Sequence, residues 1–168
     1  IALASGRNAT LNVSATSTYD GVVSGTVSAL TKSGSGKLML TKDQTYSGVT
    51  TITAGDLQVG TGGSVDQASS GSISNTTAVA VASSSKLILT PNENILFAAP
   101  ISGAGGVEIK GASGLYRGTA LTTTASLIAS NVSVLEVLTR ITGGTFTGNA
   151  GSGNCGAYQK SYNAATNT

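Results

Sequence analysis

The sequence has no histidine and no tryptophan, a single cysteine, and only 10% charged residues. Each shortage closes off a class of chemistry. Without histidine there is no imidazole base, no Ser-His-Asp triad and no histidine-ligated zinc. Cys155 cannot pair within the chain; in GSGNCGAY it reads as a spare thiol, with a bond to a second chain as the alternative. The nine basic residues stand singly, and aromatics make up 4%, so the clustered basic and aromatic footprint of nucleic-acid binding is missing. No run of 18 apolar residues occurs, so no segment has the pattern of a membrane-spanning helix. The seven acidic residues are Asp20, Asp43, Asp56, Asp66, Glu93, Glu108 and Glu136, and no two lie within four positions of each other. Glycan-cleaving sites need clustered carboxylates. The spread predicts isolated solvated charges, unless stacking brings together Glu108 with Glu136 or Asp43 with Asp66. The expectation is no enzyme, no catalytic residues, no metal and no cofactor.

What is present is small and strand-forming. The 168 residues include 24 Thr, 23 Ser and 23 Gly. Thr and Val favour strands, and Gly and Ser favour turns. With 39% hydrophobic residues arranged periodically, the chain has the means to build a core. This combination predicts an all-β domain with many tight corners.

Alternation locates the strands. Lys37-Leu38-Met39-Leu40-Thr41, Thr51-Ile52-Thr53 and Leu57-Gln58-Val59 each read as one short strand, with Leu57 and Val59 on one face and Gln58 on the other. Tyr46-Ser47-Gly48-Val49 and Thr53-Ala54-Gly55-Asp56 read as corners, with Gly48 and Gly55 free to adopt positive φ. Lys86-Leu87-Ile88-Leu89-Thr90 repeats the first strand 49 residues later; Val107-Glu108-Ile109 follows Leu87 by 20, and Leu127-Ile128-Ala129 by 20 more. A recurrence near 20 residues is the mark of a solenoid. Leu38, Leu40, Ile52, Leu57, Val59, Leu87, Leu89, Val107 and Ile109 are the expected inward columns. The stretch 124–141 has helical length, but the alternation at Val132 and Val134 predicts strand.

Several short motifs are weighed and set aside. Gly34-Ser35-Gly36-Lys37 is a corner before a strand, because Thr31 and Leu38 break the phosphate-loop pattern. Gly60-Thr61-Gly62-Gly63-Ser64-Val65-Asp66 is a lone imperfect copy of a calcium-binding glycine repeat, which needs stacked copies. Asn8, Asn12, Asn75 and Asn131 head Asn-x-Ser/Thr sequons, which arise by chance in so hydroxyl-rich a chain; glycan attachment stays open.

VSGTVSALTKSGSGKLMLTKDQTYSGVTTITAGDLQVG, residues 23–60, resembles the passenger-associated β-strand repeat of bacterial autotransporters. The matching positions are Ser24-Gly25, Leu30-Thr31-Lys32, Gly34, Gly36, Leu38, Leu40, Thr45-Tyr46, Gly48, Thr50-Thr51-Ile52, Gly55, Leu57 and Gly60. A weaker likeness over 101–118 aligns Ile101-Ser102-Gly103 with Val23-Ser24-Gly25, and Thr18-Tyr19-Asp20-Gly21 is a fainter echo. The resemblance implies a right-handed parallel β-helix on a bacterial surface. Nothing in the chain alternates like the strands of a membrane barrel with aromatic girdles. The expectation is therefore either an excised passenger piece, acting as adhesin or export-assisting stalk, or a free-standing secreted protein. Its organisation is expected to be one β-solenoid domain over 1–142 and an irregular Gly/Asn/Tyr-rich tail over 143–168, in which Ala157–Tyr162 would cap or dock. Residues 1–13 read as strand, with no capping helix. The expected role is an extracellular structural subunit that polymerises through its ends, with a glycan or host surface as the other partner considered.

Overall fold

The computed structural model describes residues 1–26, 28–61, 71–90 and 99–110 in full, and six further strands by their backbone pairing. It is all-β: among the described residues there is no helix. Short strands stack in parallel on the equivalent strands of the next turn, forming a β-solenoid with three faces. The first face is a six-stranded sheet ordered Asn8–Asn12, Ala29–Ser33, Thr50–Ile52, Val79–Val81, Ile101–Gly103 and Leu121–Thr123. The second is a seven-stranded sheet running Ser17–Tyr19, Leu38–Leu40, Asp56–Val59, Lys86–Leu89, Gly106–Lys110, Leu127–Ser130 and Phe146–Asn149. The third face holds Ser24–Gly25 beside Thr45–Tyr46, and farther along Ile95–Phe97, Leu115–Gly118 and Val134–Val137. Within the ambiguous stretch 124–141, Leu127–Ser130 and Val134–Val137 are strands, and its other residues, Val132 among them, lie outside the described set.

The sequence recurrence is the stacking register. Leu87 pairs with Val107 and Val107 with Leu127, the two steps of 20 residues. The interval of 49 is two turns: Leu38 pairs with Leu57, and Leu57 with Leu87. The second of these steps is the longer and contains residues 62–70, which lie outside the described set.

Inward positions line up across turns. On the first face Ala9, Leu30, Thr50, Val79 and Ile101 form one column, every member buried. On the second, Leu38, Leu57, Leu87 and Val107 form another, and Leu40, Val59, Leu89 and Ile109 a third. All nine residues expected to point inward are buried. Each such side chain contributes about 1.5–3 kcal/mol of apolar burial, and the columns are the continuous core of the domain. Gln58 departs from its expected exposure. It is buried, with its Nε2 donating to Gly60 O at 3.0 Å and its Oε1 accepting from Lys37 Nζ at 3.2 Å.

One corner proved to be a strand. Tyr46, read above as the first residue of a corner, belongs with Thr45 to a strand that pairs in parallel with Ser24–Gly25. Two residues carry no periodicity to read, yet Tyr46 is fully buried. Phe146–Asn149, inside the expected tail, pairs with Leu127–Ser130; the remainder of 143–168 lies outside the described residues.

Candidate functional site

Polar side chains enter the solenoid interior to hold its corners. Lys32 occupies an inward position on the first face, between Leu11 and Ile52 in the register, and is fully buried. Its aliphatic stem fills the column. Its ammonium donates to Ser33 O at 3.0 Å, Gly34 O at 2.8 Å and Ala54 O at 2.8 Å. Three carbonyls use all three donors of the group. Burial pushes the Lys32 ammonium below the ordinary lysine value, and the charge of Asp56 pulls the other way. Thr53 closes the same corner, with both its N–H and its hydroxyl donating to Lys32 O.

Gln44 does the corresponding work at the next corner. It is buried; its Oε1 accepts from Val23 N at 2.8 Å, and its Nε2 donates to Lys42 O at 2.6 Å and Gly21 O at 3.1 Å. A third device is a buried hydroxyl chain. Tyr46 OH lies 2.5 Å from Thr50 Oγ1, which lies 2.9 Å from Thr76 Oγ1, which is 2.6 Å from Gly48 O. A carbonyl only accepts, so Thr76 donates to Gly48, Thr50 to Thr76, and Tyr46 to Thr50. Burial pushes the Tyr46 phenol up to about 12.

The glycines serve close approach between turns. A Cβ at Gly34 would collide with the Val13 carbonyl, and one at Gly36 with the Ala15 carbonyl. Gly55 has φ +64 and would strike the Gly36 carbonyl. Gly48 needs no positive φ; its N–H donates to Ser28 O at 2.8 Å, leaving no room for a side chain. Gly34-Ser35-Gly36-Lys37 is thus a packed corner.

The acidic residues of the described set stay apart. Asp20 accepts from Thr41 Oγ1 at 2.6 Å and pairs with Lys42 at 3.5 Å; both contacts, the first more strongly, hold its carboxyl below the usual range. Glu108 pairs with Lys110 at 2.9 Å. Asp43 bridges in parallel to Ser72, and Asp56 stands in register with Lys86. Glu136 is in backbone register with Arg117, not with Glu108. Asp66 and Glu93 lie outside the described residues, as do Cys155, Asn131 and Ala157–Tyr162. Among the described residues no three His, Cys, Asp or Glu come together as a metal site. No helix among them is long and apolar enough to cross a membrane. Asn8, Asn12 and Asn75 are exposed.

Among the described residues, the partly buried hydrophobics packed against the core lie at the N-terminal end of the solenoid. Asn8–Asn12 and Ser17–Tyr19 each pair with a strand on one side only among the described residues. Leu3, Leu11, Val13 and Tyr19 pack there and are only partly buried.

These features define a parallel β-solenoid pinned at its corners by buried polar side chains. Residues 30–59 match the family model of the passenger-associated-transport-repeat. The match begins at Leu30 and takes in Lys32, Gln44, Tyr46, Thr50 and Gly55, so the repeat is the unit that carries the corner pins. Comparison with curated proteins and with solved structures gave no match. The weaker likeness at 101–118 does not carry over in space: Ile101–Gly103 lies on the first face, whereas Ser24–Gly25 lies on the third. Both stretches end in a glycine with positive φ, at Gly25 and Gly103, so one local sequence suits either corner.

Proposed function

We propose that the chain is a secreted bacterial structural protein, a β-solenoid subunit that self-assembles end to end into an extracellular filament or surface layer. The observation that carries this reading is the N-terminal end of the solenoid. There, among the described residues, Asn8–Asn12 and Ser17–Tyr19 each pair on one side only, beside the partly buried Leu3, Leu11, Val13 and Tyr19. Such an edge is a template for another strand. A structural role is supported by the work of the buried polar groups, since Lys32, Gln44 and Tyr46 are all spent on corners. A location outside the cell is supported by the passenger repeat at 30–59.

That same repeat favours a second reading: a passenger segment serving as adhesin or export-assisting stalk, with a glycan or host surface as its partner. Electron microscopy and light scattering of the purified chain separate the two. The subunit reading expects fibres or sheets that lengthen with concentration and shorten when residues 1–13 or 143–168 are deleted. Compact monomers at every concentration would leave the passenger reading in its place.

A further inference from the structure

We propose that Asn8, Asn12 and Asn75 are attachment sites for N-linked sugar, transferred by a separate enzyme from a sugar diphosphate donor. The inference does not depend on whether copies of the chain assemble.

The first argument is presentation. The three residues head the sequons Asn8-Ala9-Thr10, Asn12-Val13-Ser14 and Asn75-Thr76-Thr77. An acceptor of this type has to stand at the surface. Asn8 and Thr10 are exposed on either side of the buried Ala9, and Asn12 and Ser14 on either side of the partly buried Val13. Asn8 and Thr10 share one strand, so both lie on its outer side, about 6.6 Å apart. Asn75 stands at the tip of a turn that Thr76 N closes by donating to Ile73 O at 3.1 Å. Thr76 anchors the middle of that motif, with its hydroxyl donating to Gly48 O at 2.6 Å, while Asn75 and Thr77 are exposed. In all three motifs the middle residue turns inward and the two recognised side chains turn out.

The second argument is availability. Buried threonine hydroxyls of this chain are spent on carbonyls, Thr76 on Gly48 and Thr90 on Val59. The amides of Asn8, Asn12 and Asn75 and the hydroxyls of Thr10, Ser14 and Thr77 hold no hydrogen bond among the described residues.

The third argument is the face on which the sites lie. Asn8 and Asn12 point outward on the first face, and the Asn75 turn leads into the Val79–Val81 strand of that face. Among the described residues no outward side chain of its strands is charged: the central column is Thr10, Thr31, Thr51, Ala80 and Ser102. The strands of the second face, by contrast, carry Asp56, Lys86, Glu108 and Lys110. A charge-free surface promotes association and precipitation, and attached sugar is bulky and solubilising. Asn8 and Asn12 are four positions apart on one strand, about 13 Å, which leaves room for a sugar on each. Sugar there projects from the side of the solenoid and leaves its ends clear.

In the transfer, the asparagine amide nitrogen attacks the anomeric carbon of the donor. The carbon–nitrogen bond forms, the bond from that carbon to the phosphate oxygen breaks, and the diphosphate leaves with the electron pair. The amide proton passes to the transferase.

The test is mass spectrometry of the full chain purified from the cells that make it, with peptide mapping of each site. The expected result is sugar on Asn8, Asn12 and Asn75. Thr10→Ala, Ser14→Ala and Thr77→Ala should each abolish the sugar on the asparagine two positions before, although the asparagine remains. Unchanged urea midpoints of these variants show that the fold is kept. A single sugar on each site supports the proposal with a nucleotide-linked donor, and an oligosaccharide supports it with a lipid-linked one. Bare asparagines at the three positions overturn it. So does sugar carried only on Ser or Thr, and so does sugar that stays on the asparagines after the hydroxyls are removed.

Discussion

The ammonium of Lys32 lies 2.8 Å from the carbonyl oxygen of Ala54, 22 positions further on and one turn along the solenoid. A lysine thus joins successive turns from inside the core. It exchanges water for three carbonyls at that corner.

Replacing Lys32 with Met keeps the stem and removes the donors. Leaving buried polar groups without partners costs about 1–3 kcal/mol each. Lys32→Met is expected to lower stability by about 2–4 kcal/mol in urea titrations, with an unchanged slope. A loss under about 0.5 kcal/mol, the range of ordinary surface changes, would remove Lys32 as a corner pin.

Tyr46 sets an alkaline limit. Its folded value of about 12 lies above the ordinary 10, so the folded chain holds a proton that the unfolded chain releases. The contribution is whole below pH 10 and is lost as pH rises to 12, at about 1.4 kcal/mol for each pH unit crossed. Lys32 works in the opposite direction: its lowered folded value makes stability rise with pH in the window below 10.5. Tyr46→Phe should abolish the fall between pH 10 and 12 and leave the Lys32 rise in view. In ultraviolet titration of the parent chain, one tyrosine should ionise last. If the fall above pH 10 survives Tyr46→Phe, the assignment is wrong.

Two glycines with nearly the same backbone angle should respond differently. Gly6 has φ +73 and nothing within 4 Å of a Cβ, whereas Gly55 has φ +64 and the Gly36 carbonyl against it. Gly6→Ala should cost about 1 kcal/mol from backbone strain alone. Gly55→Ala should cost clearly more, about 3 kcal/mol or above, because neighbouring backbone must move. Equal melting-temperature shifts in the two variants would show that the turns are not held at this spacing.

Gln44→Glu tests the second corner. The amide donates to two carbonyls, and a carboxylate cannot. The variant should be destabilised at neutral pH and regain part of the loss on acidification, as the new carboxyl takes up a proton and can donate again. A stability that falls with acidification as steeply as that of the parent chain would contradict this arrangement.

Much of the architecture is legible in the residues themselves. Alternation at Leu38, Leu40, Leu57 and Val59 sets which side chains turn inward. The steps of 20 residues from Leu87 to Val107 to Leu127 are the stacking register. These signals are local or strictly periodic, so a linear reading finds them. Tertiary structure alone decided the rest. Charge and amide ordinarily seek water, so no local signal places Lys32 and Gln44 inside; the carbonyls of Ala54, Gly21 and Lys42 make the interior acceptable to them. Thr45–Tyr46 is too short to show a period; its pairing with Ser24–Gly25 makes it a strand. Ile101–Gly103 and Ser24–Gly25 look alike in sequence and lie on different faces, because a short strand ending in glycine fits any corner and the turn before it chooses which. A solenoid repeats its inward pattern along the chain, but its corners are completed by atoms about one turn away, and that distance is where a reading of the sequence ends.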